Sequence, residues 1–102
     1  MSKKPKMKHN NNYESEIALL PSSTEIKKQI HDTRVTKSKQ YIIDRIKYCI
    51  ENGINKCDIK PENIYNHEEV IEFMVNICRT KDYTFENIKH TNTYYRITLY
   101  TP

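Results

Sequence analysis

The sequence predicts a small α+β domain in which helices pack on one face of a three-stranded sheet. Two observations indicate this class: an amphipathic helical pattern from His67 to Arg79 that leads into alternating segments, and a helical N-terminal half that ends at the only glycine, Gly53. The 102 residues support one domain with a modest core, predicted at residues 13–102. The predicted order is two helices, strand, helix, strand, strand.

The first helix is predicted from about Ser23 to Asp32. Ser22 and Glu25 have the spacing of a capping box, in which each side chain accepts a hydrogen bond from the other residue's backbone amide. Apolar residues flank this start. Ile17, Leu19 and Leu20 precede Pro21, and the two leucines are predicted to act as a hydrophobic staple, while Ile26 and Ile30 continue a narrow stripe.

A second helix is predicted from about Thr36 to Asn52, because apolar residues repeat on one face and Gly53 can adopt the left-handed conformation that ends a helix. The face comprises Ile42, Ile43, Ile46, Cys49 and Ile50. Since no proline or glycine lies between Ser22 and Gly53, the pattern leaves open whether the two helices are continuous.

Three short segments are predicted to form the sheet. Residues 54–60 form a strand with Cys57 and Ile59 facing inward, and Pro61 ends it. A hairpin with its turn at residues 90–93 closes the fold. Its first strand alternates Tyr83 and Phe85 with Thr84 and Glu86, and its second alternates Tyr95, Ile97 and Leu99 with Tyr94, Arg96, Thr98 and Tyr100.

The helix between these strands has a start signal in Asn66, whose side chain can accept the free amides of the first turn. Three carboxylates, Glu68, Glu69 and Glu72, suit its positive N-terminal end. The predicted buried face comprises Val70, Ile71, Met74, Ile77 and Cys78.

Charge is unevenly distributed along the chain. Residues 1–12 combine four lysines with three consecutive asparagines and are predicted to be a disordered basic tail. Residues 1–50 carry a net charge of +6, and residues 51–102 a net charge of −2. Abundant Ile, Lys and Asn with scarce Gly and Ala indicate an AT-rich genome, so the lysine excess is partly compositional background.

The composition predicts a cytoplasmic protein. No apolar run approaches the ~20 residues of a membrane span, and no apolar segment follows the N-terminal lysines as in a secretory signal. Cys49, Cys57 and Cys78 occupy apolar faces without metal-type spacing. Buried, reduced thiols in a reducing compartment are therefore expected.

No arrangement typical of a catalytic or cofactor site is visible. A single glycine cannot build a phosphate-cradling loop, the cysteine spacing matches no zinc knuckle, and the four histidines are scattered. A cysteine nucleophile paired with a histidine stays an open alternative, because such residues meet in space rather than in sequence. The prediction is a non-enzymatic protein without a cofactor or a metal.

Two features are predicted to serve binding. Tyr94, Arg96 and Tyr100 on the outer face of the last strand suit a partner protein or stacked bases. The tail lysines, Lys3, Lys4, Lys6 and Lys8, could contact phosphates without sequence preference. An exposed edge strand could also pair two copies of the chain as a homodimer.

The order helix, strand, helix, hairpin also fits the C-terminal part of a winged-helix fold, with Lys89 and His90 at the wing tip. The last helix would then enter the major groove of DNA. Glu68, Glu69 and Glu72 would face the phosphates there, so a winged fold would favour a protein partner.

Several segments resemble small accessory proteins of bacteriophages and other large DNA viruses. They are Ser23-Thr24-Glu25-Ile26, the spaced Ile46, Ile50 and Gly53, Glu69-Val70-Ile71, Lys81-Asp82-Tyr83-Thr84-Phe85 and Arg96-Ile97-Thr98-Leu99. The resemblance covers residues 22–100 and departs at Asp82, where such proteins commonly have glycine; their closing aromatic residue could be Tyr100. It implies a viral setting, in the host cytoplasm or the virion, without a mechanism.

The expected function is therefore that of a viral or mobile-element accessory protein that binds another protein as an inhibitor, adaptor or assembly component. The alternative is a small nucleic-acid-binding protein that uses the basic tail together with the Tyr/Arg face.

Overall fold

The computed structural model describes residues 13–102 and shows an α+β fold with three helices and an antiparallel sheet. Residues 13–19 form helix α1. The other elements are α2 (Ser23–Glu51), β1 (Lys56–Ile59), a 3₁₀ turn (Pro61–Asn63), α3 (Glu68–Lys81), β2 (Thr84–Lys89) and β3 (Thr93–Thr98). The α+β class is confirmed. The tail predicted at residues 1–12 lies outside the described residues.

The capping box forms as predicted. Ser22 N donates to Glu25 Oε1 (2.8 Å), and Glu25 N donates to Ser22 Oγ (3.2 Å). The bond from the Ser22 amide is the main cause that lowers the pKa of Glu25. The predicted staple is wrong, because Leu19 and Leu20 are exposed. Ile26 and Ile30 are exposed as well.

One helix replaces the two that were predicted between residues 23 and 52. Helix α2 is continuous over 29 residues, in keeping with the absence of proline and glycine between Ser22 and Gly53. Its buried stripe is Val35, Ser38, Ile42, Ile46 and Cys49. Ile50, predicted on this face, is exposed, since it points about 100° around the helix axis from Cys49.

Gly53 follows α2 with the left-handed φ of 68° that the sequence predicts. Ile54 N donates to Cys49 O (2.8 Å) across this turn, which satisfies a carbonyl at the helix end. A Cβ at position 53 would have no heavy atom within 4 Å. The backbone conformation alone therefore favours glycine here.

We expect Gly53→Ala to lower the free energy of unfolding by about 1–2 kcal/mol, the cost of holding an L-residue in the left-handed region. Gly53→Asn is the matched control and should lose less, because asparagine tolerates this conformation better. Urea denaturation followed by circular dichroism measures both variants. An alanine variant as stable as the wild type would contradict the argument.

The sheet has β3 at its centre, in the order β1-β3-β2, with both pairings antiparallel. Ile97 lies opposite Cys57 of β1 and Phe85 of β2. Cys57 and Ile59 are buried, as predicted. The hairpin turn is shorter than predicted, because Thr93 pairs with Lys89. Within the described chain, β1 and β2 are the edge strands.

His67, and not Asn66, caps α3, so the predicted cap is wrong. His67 Nδ1 accepts a hydrogen bond from Glu69 N (3.2 Å). Asn66 Oδ1 instead accepts from the Tyr95 hydroxyl (2.7 Å), which ties the start of α3 to the sheet. The tertiary partner therefore decides which of two neighbouring residues caps the helix.

The described residues divide into two compact units, of which the first ends at Ile30 and the second is His31–Pro102. The core lies in the second unit and combines α2, α3 and the inner sheet face. It comprises Val35, Ile42, Ile46, Cys49, Cys57, Ile59, Val70, Met74, Cys78, Tyr95 and Ile97. Phe85 stacks on Tyr95 at its margin, with ring centroids 5.9 Å apart. Because strand residues alternate, Tyr94 and Arg96 lie on the opposite, outer face.

Candidate functional site

The outer face of the sheet holds an ordered arginine. Arg96 Nε and Nη2 donate to Asp58 Oδ1 (2.8 Å) and Oδ2 (3.2 Å), which links β3 to β1. Nη2 also donates to the Tyr94 hydroxyl (3.2 Å), and Cζ lies 5.4 Å from the Tyr94 ring centroid. A bidentate ion pair and an aromatic neighbour therefore hold the guanidinium in one orientation.

Two carboxylates flank this arginine. Arg96 lies opposite Asp58 on β1 and opposite Glu86 on β2. The hydrogen bond to Asp58 is the main cause that raises the pKa of Arg96 above its ordinary value. The side chain of Arg96 remains 24% exposed, so a partner molecule can reach it. The face thus presents one fixed cation between two acidic side chains.

Tyr100 occupies a different position from the one predicted. Strand β3 ends at Thr98, and Tyr100 follows it with an exposed side chain. Tyr100 N donates to Asn55 Oδ1, and its carbonyl accepts from Asn55 Nδ2, both at 2.9 Å. The structure therefore brings Tyr94 and Arg96 together, adds Asp58 to them, and holds Tyr100 by its backbone outside the strand.

An open groove of ≈570 Å³ lies beside Tyr94. Its lining carries both charges, with Arg45 and Lys60 set against Asp58 and Glu62. Asp58 belongs to both the groove and the ion pair with Arg96, so the two features are continuous. A ligand bound in this groove beside Tyr94 would contact both positively and negatively charged side chains.

The nucleic-acid alternative depends on positive charge in the tail, on the sheet face or at the start of α3. The lysines Lys3, Lys4, Lys6 and Lys8 lie outside the described residues. Asp58 and Glu86 beside Arg96 would repel phosphates on the sheet face. Glu68 and Glu69 in the first turn of α3 would do the same at the helix end that a winged-helix arrangement would place in DNA.

A second polar cluster lies where α2 meets the start of α3. His31 Nε2 is 2.7 Å from Glu69 Oε1, and His31 Nδ1 is 3.2 Å from the Tyr65 hydroxyl. The His31 and His67 rings meet edge to face with centroids 4.6 Å apart, and Tyr65 stacks on His67 at 5.2 Å. The hydrogen bond from His31 is the main cause that lowers the pKa of Glu69.

Sequence reasoning missed this cluster, although α2 contains a signal for it. His31 and Ser38 continue the stripe of Val35, Ile42 and Ile46 at helical spacing, so two polar residues occupy positions that face neighbouring elements. Ser38 is buried and its Oγ accepts from Tyr65 N (2.7 Å), while His31 binds the Tyr65 hydroxyl. Polar residues within an apolar stripe thus indicated a hydrogen-bonded contact.

The three cysteines are free and buried, as predicted. Burial is the main cause that raises the pKa of Cys57 to about 12, and the neighbouring Cys49 adds to it. Burial also raises the pKa of Cys78. Thiols with raised pKa values are poor nucleophiles, because the thiolate is the reactive form.

Comparison with protein-family models, with curated proteins and with solved structures found no match to this chain. Within residues 13–102, no helix has both the length and the apolar composition needed to cross a lipid bilayer.

Proposed function

We propose that the protein is a non-enzymatic accessory protein, of a virus or mobile element, that binds a partner protein through the outer sheet face around Tyr94 and Arg96. The observation that carries this proposal is the fixed guanidinium of Arg96. Its Nε and Nη2 bind Asp58 and Tyr94. Among the described residues Nη1 has no such bond, so its N–H groups can donate to a partner.

A fixed arginine suits protein recognition for an energetic reason. Binding costs side-chain entropy wherever a flexible group must be ordered, and the bonds to Asp58 and Tyr94 order Arg96 in advance. Arginine and tyrosine are also enriched among the residues that dominate protein interfaces. The partner that fits this face presents a carbonyl or carboxylate oxygen to Arg96 and polar groups to the groove beside Tyr94.

The test compares capture of a partner by variants of this face. Tyr94→Ala and Arg96→Ala should each weaken capture at least about tenfold, as expected for residues at the centre of an interface. Tyr100→Ala should have a smaller effect, because Tyr100 lies outside β3. Arg79→Ala, which removes an exposed arginine of α3 on the inner side of the sheet, is the control. Quantitative mass spectrometry of proteins retained from host lysate gives the readout, and circular dichroism checks the fold.

Full capture by both the Tyr94 and the Arg96 variant would refute the proposal. A direct test of the alternative uses fluorescent DNA and RNA at about 50 and 200 mM salt, with and without residues 1–12. Binding that disappears with the tail and falls by orders of magnitude with salt would establish phosphate contacts. That result would favour nucleic acid as the partner.

A further inference from the structure

The histidine cluster has the composition of a metal site. His31 of α2, His67 at the N-cap of α3 and Glu69 in its first turn each direct one donor atom to a common region, and these atoms lie within 4.8 Å of one another. We propose that His31, His67 and Glu69 bind a divalent transition-metal ion such as Zn²⁺. This inference is independent of the sheet face and of the partner-binding function.

The ligand types and distances fit zinc. Imidazole nitrogens and a carboxylate oxygen bind Zn²⁺ at about 2.0–2.2 Å, which places neighbouring ligand atoms about 3.3 Å apart in a tetrahedral site. His31 Nε2 and Glu69 Oε1 are already closer than that, at 2.7 Å. The three donor atoms lie within 4.8 Å of one another, so the side chains must move closer by up to about 1.5 Å to share one tetrahedral ion. Three protein ligands leave the fourth position for water or another ligand.

Tyr65 supports His31 in both the metal-free and the metal-bound form. Without metal, a proton on His31 Nε2 makes the bond to Glu69, and in the neutral ring Nδ1 accepts from the Tyr65 hydroxyl. With metal on Nε2, the proton moves to Nδ1 and the same hydroxyl accepts it. A tyrosine hydroxyl can donate or accept, so the hydrogen bond that orients a metal-binding histidine is available here.

His67 must give up one interaction to bind the ion. Its Nδ1 now accepts the cap hydrogen bond from Glu69 N. Coordination through Nδ1 would use the same lone pair, and coordination through Nε2 would move the ring proton to Nδ1, which could then no longer accept the cap bond. Either mode exchanges one cap bond for a metal–nitrogen bond. Metal binding should therefore change the hydrogen bonding in the first turn of α3.

Protons compete with the metal, because both imidazoles must be neutral to bind it. The charged and titratable groups that act on Glu69 are His31, His67 and Lys39. Arg34 lies over the Tyr65 ring, with its Cζ 5.7 Å from the ring centroid. The positive charges of Lys39 and Arg34 oppose a dication at this site, and the Glu69 carboxylate offsets part of that charge.

The test is a calorimetric titration of the full chain, without a histidine tag, with Zn²⁺ and separately with Co²⁺. We expect one ion per chain and a loss of affinity of at least about tenfold in His31→Gln, His67→Gln and Glu69→Gln, since each removes one of three ligands. Glu68→Gln is the matched control for charge in the same helix turn. His90→Gln is the control for a histidine outside the cluster, and both controls should bind like the wild type.

A second measurement covers ligand variants that fail to fold. In the wild type, Zn²⁺ should shift the imidazole NMR signals of His31 and His67, together with the Glu69 amide, and leave those of His90 unchanged. Shifts confined to His9 or His90, an affinity unchanged in the ligand variants, or no binding of either metal at millimolar concentration would overturn the proposal.

Discussion

Ile97→Ala is expected to lower the free energy of unfolding by about 2–5 kcal/mol, the range for removing a large buried aliphatic side chain. Ile97 is fully buried in the central strand. It lies opposite Cys57 on one side and Phe85 on the other, so the cavity would open where both edge strands join the core. Because small domains are only about 5–15 kcal/mol stable, this change removes a large share of the total.

Two further variants separate cavity formation from general disturbance. Ile97→Val keeps most of the volume and should cost only about 0.5–1.5 kcal/mol. Ile50→Ala makes the same chemical change at a side chain that is 57% exposed, and it should alter stability by less than about 0.5 kcal/mol. Urea denaturation gives all three values. Equal losses at positions 97 and 50 would show that Ile97 does not hold the core together.

The second large effect concerns thiol chemistry. Cys57 should react with iodoacetamide at pH 8 on the order of a thousandfold more slowly than an exposed thiol, because its pKa is raised to about 12 and a free thiol titrates near 8.5. Burial is the main cause, and it also blocks access by the reagent. Mass spectrometry of the labelled peptide follows the reaction.

The matched control places a thiol on the other face of the same strand. Lys56 is exposed and precedes Cys57 in β1, so Lys56→Cys should label at the rate of a free thiol. In concentrated guanidinium chloride Cys49, Cys57 and Cys78 should all label rapidly. Fast labelling of native Cys57 would instead indicate an activated thiol, and would support the alternative of a cysteine enzyme.

Much of the fold follows from contacts between residues close in sequence. The capping box of Ser22 and Glu25 depends on residues three apart, and the left-handed turn at Gly53 depends on one backbone conformation. Alternation in β1 likewise predicted that Cys57 and Ile59 are buried. These features could be predicted because hydrophobic periodicity and backbone propensity are local properties.

The sites could be predicted only in part. Tyr94 and Arg96 were placed correctly on the outer face, because alternation along a strand fixes sidedness. The partner of Arg96 was not predicted, since Asp58 is 38 residues away and only the pairing of β1 with β3 brings it near. Tyr100 was misplaced because the end of β3 depends on pairing that the sequence pattern does not show.

The sequence by itself thus determined the class of the fold, the turn at the end of α2 and which residues of β1 face inward. The tertiary structure decided that His67 caps α3 while Asn66 binds Tyr95. It also brought His31 to Glu69, across 38 residues of chain. The physical reason is that a hydrogen bond forms only at short range and in a narrow range of angles, and for distant residues only the packed fold sets that geometry.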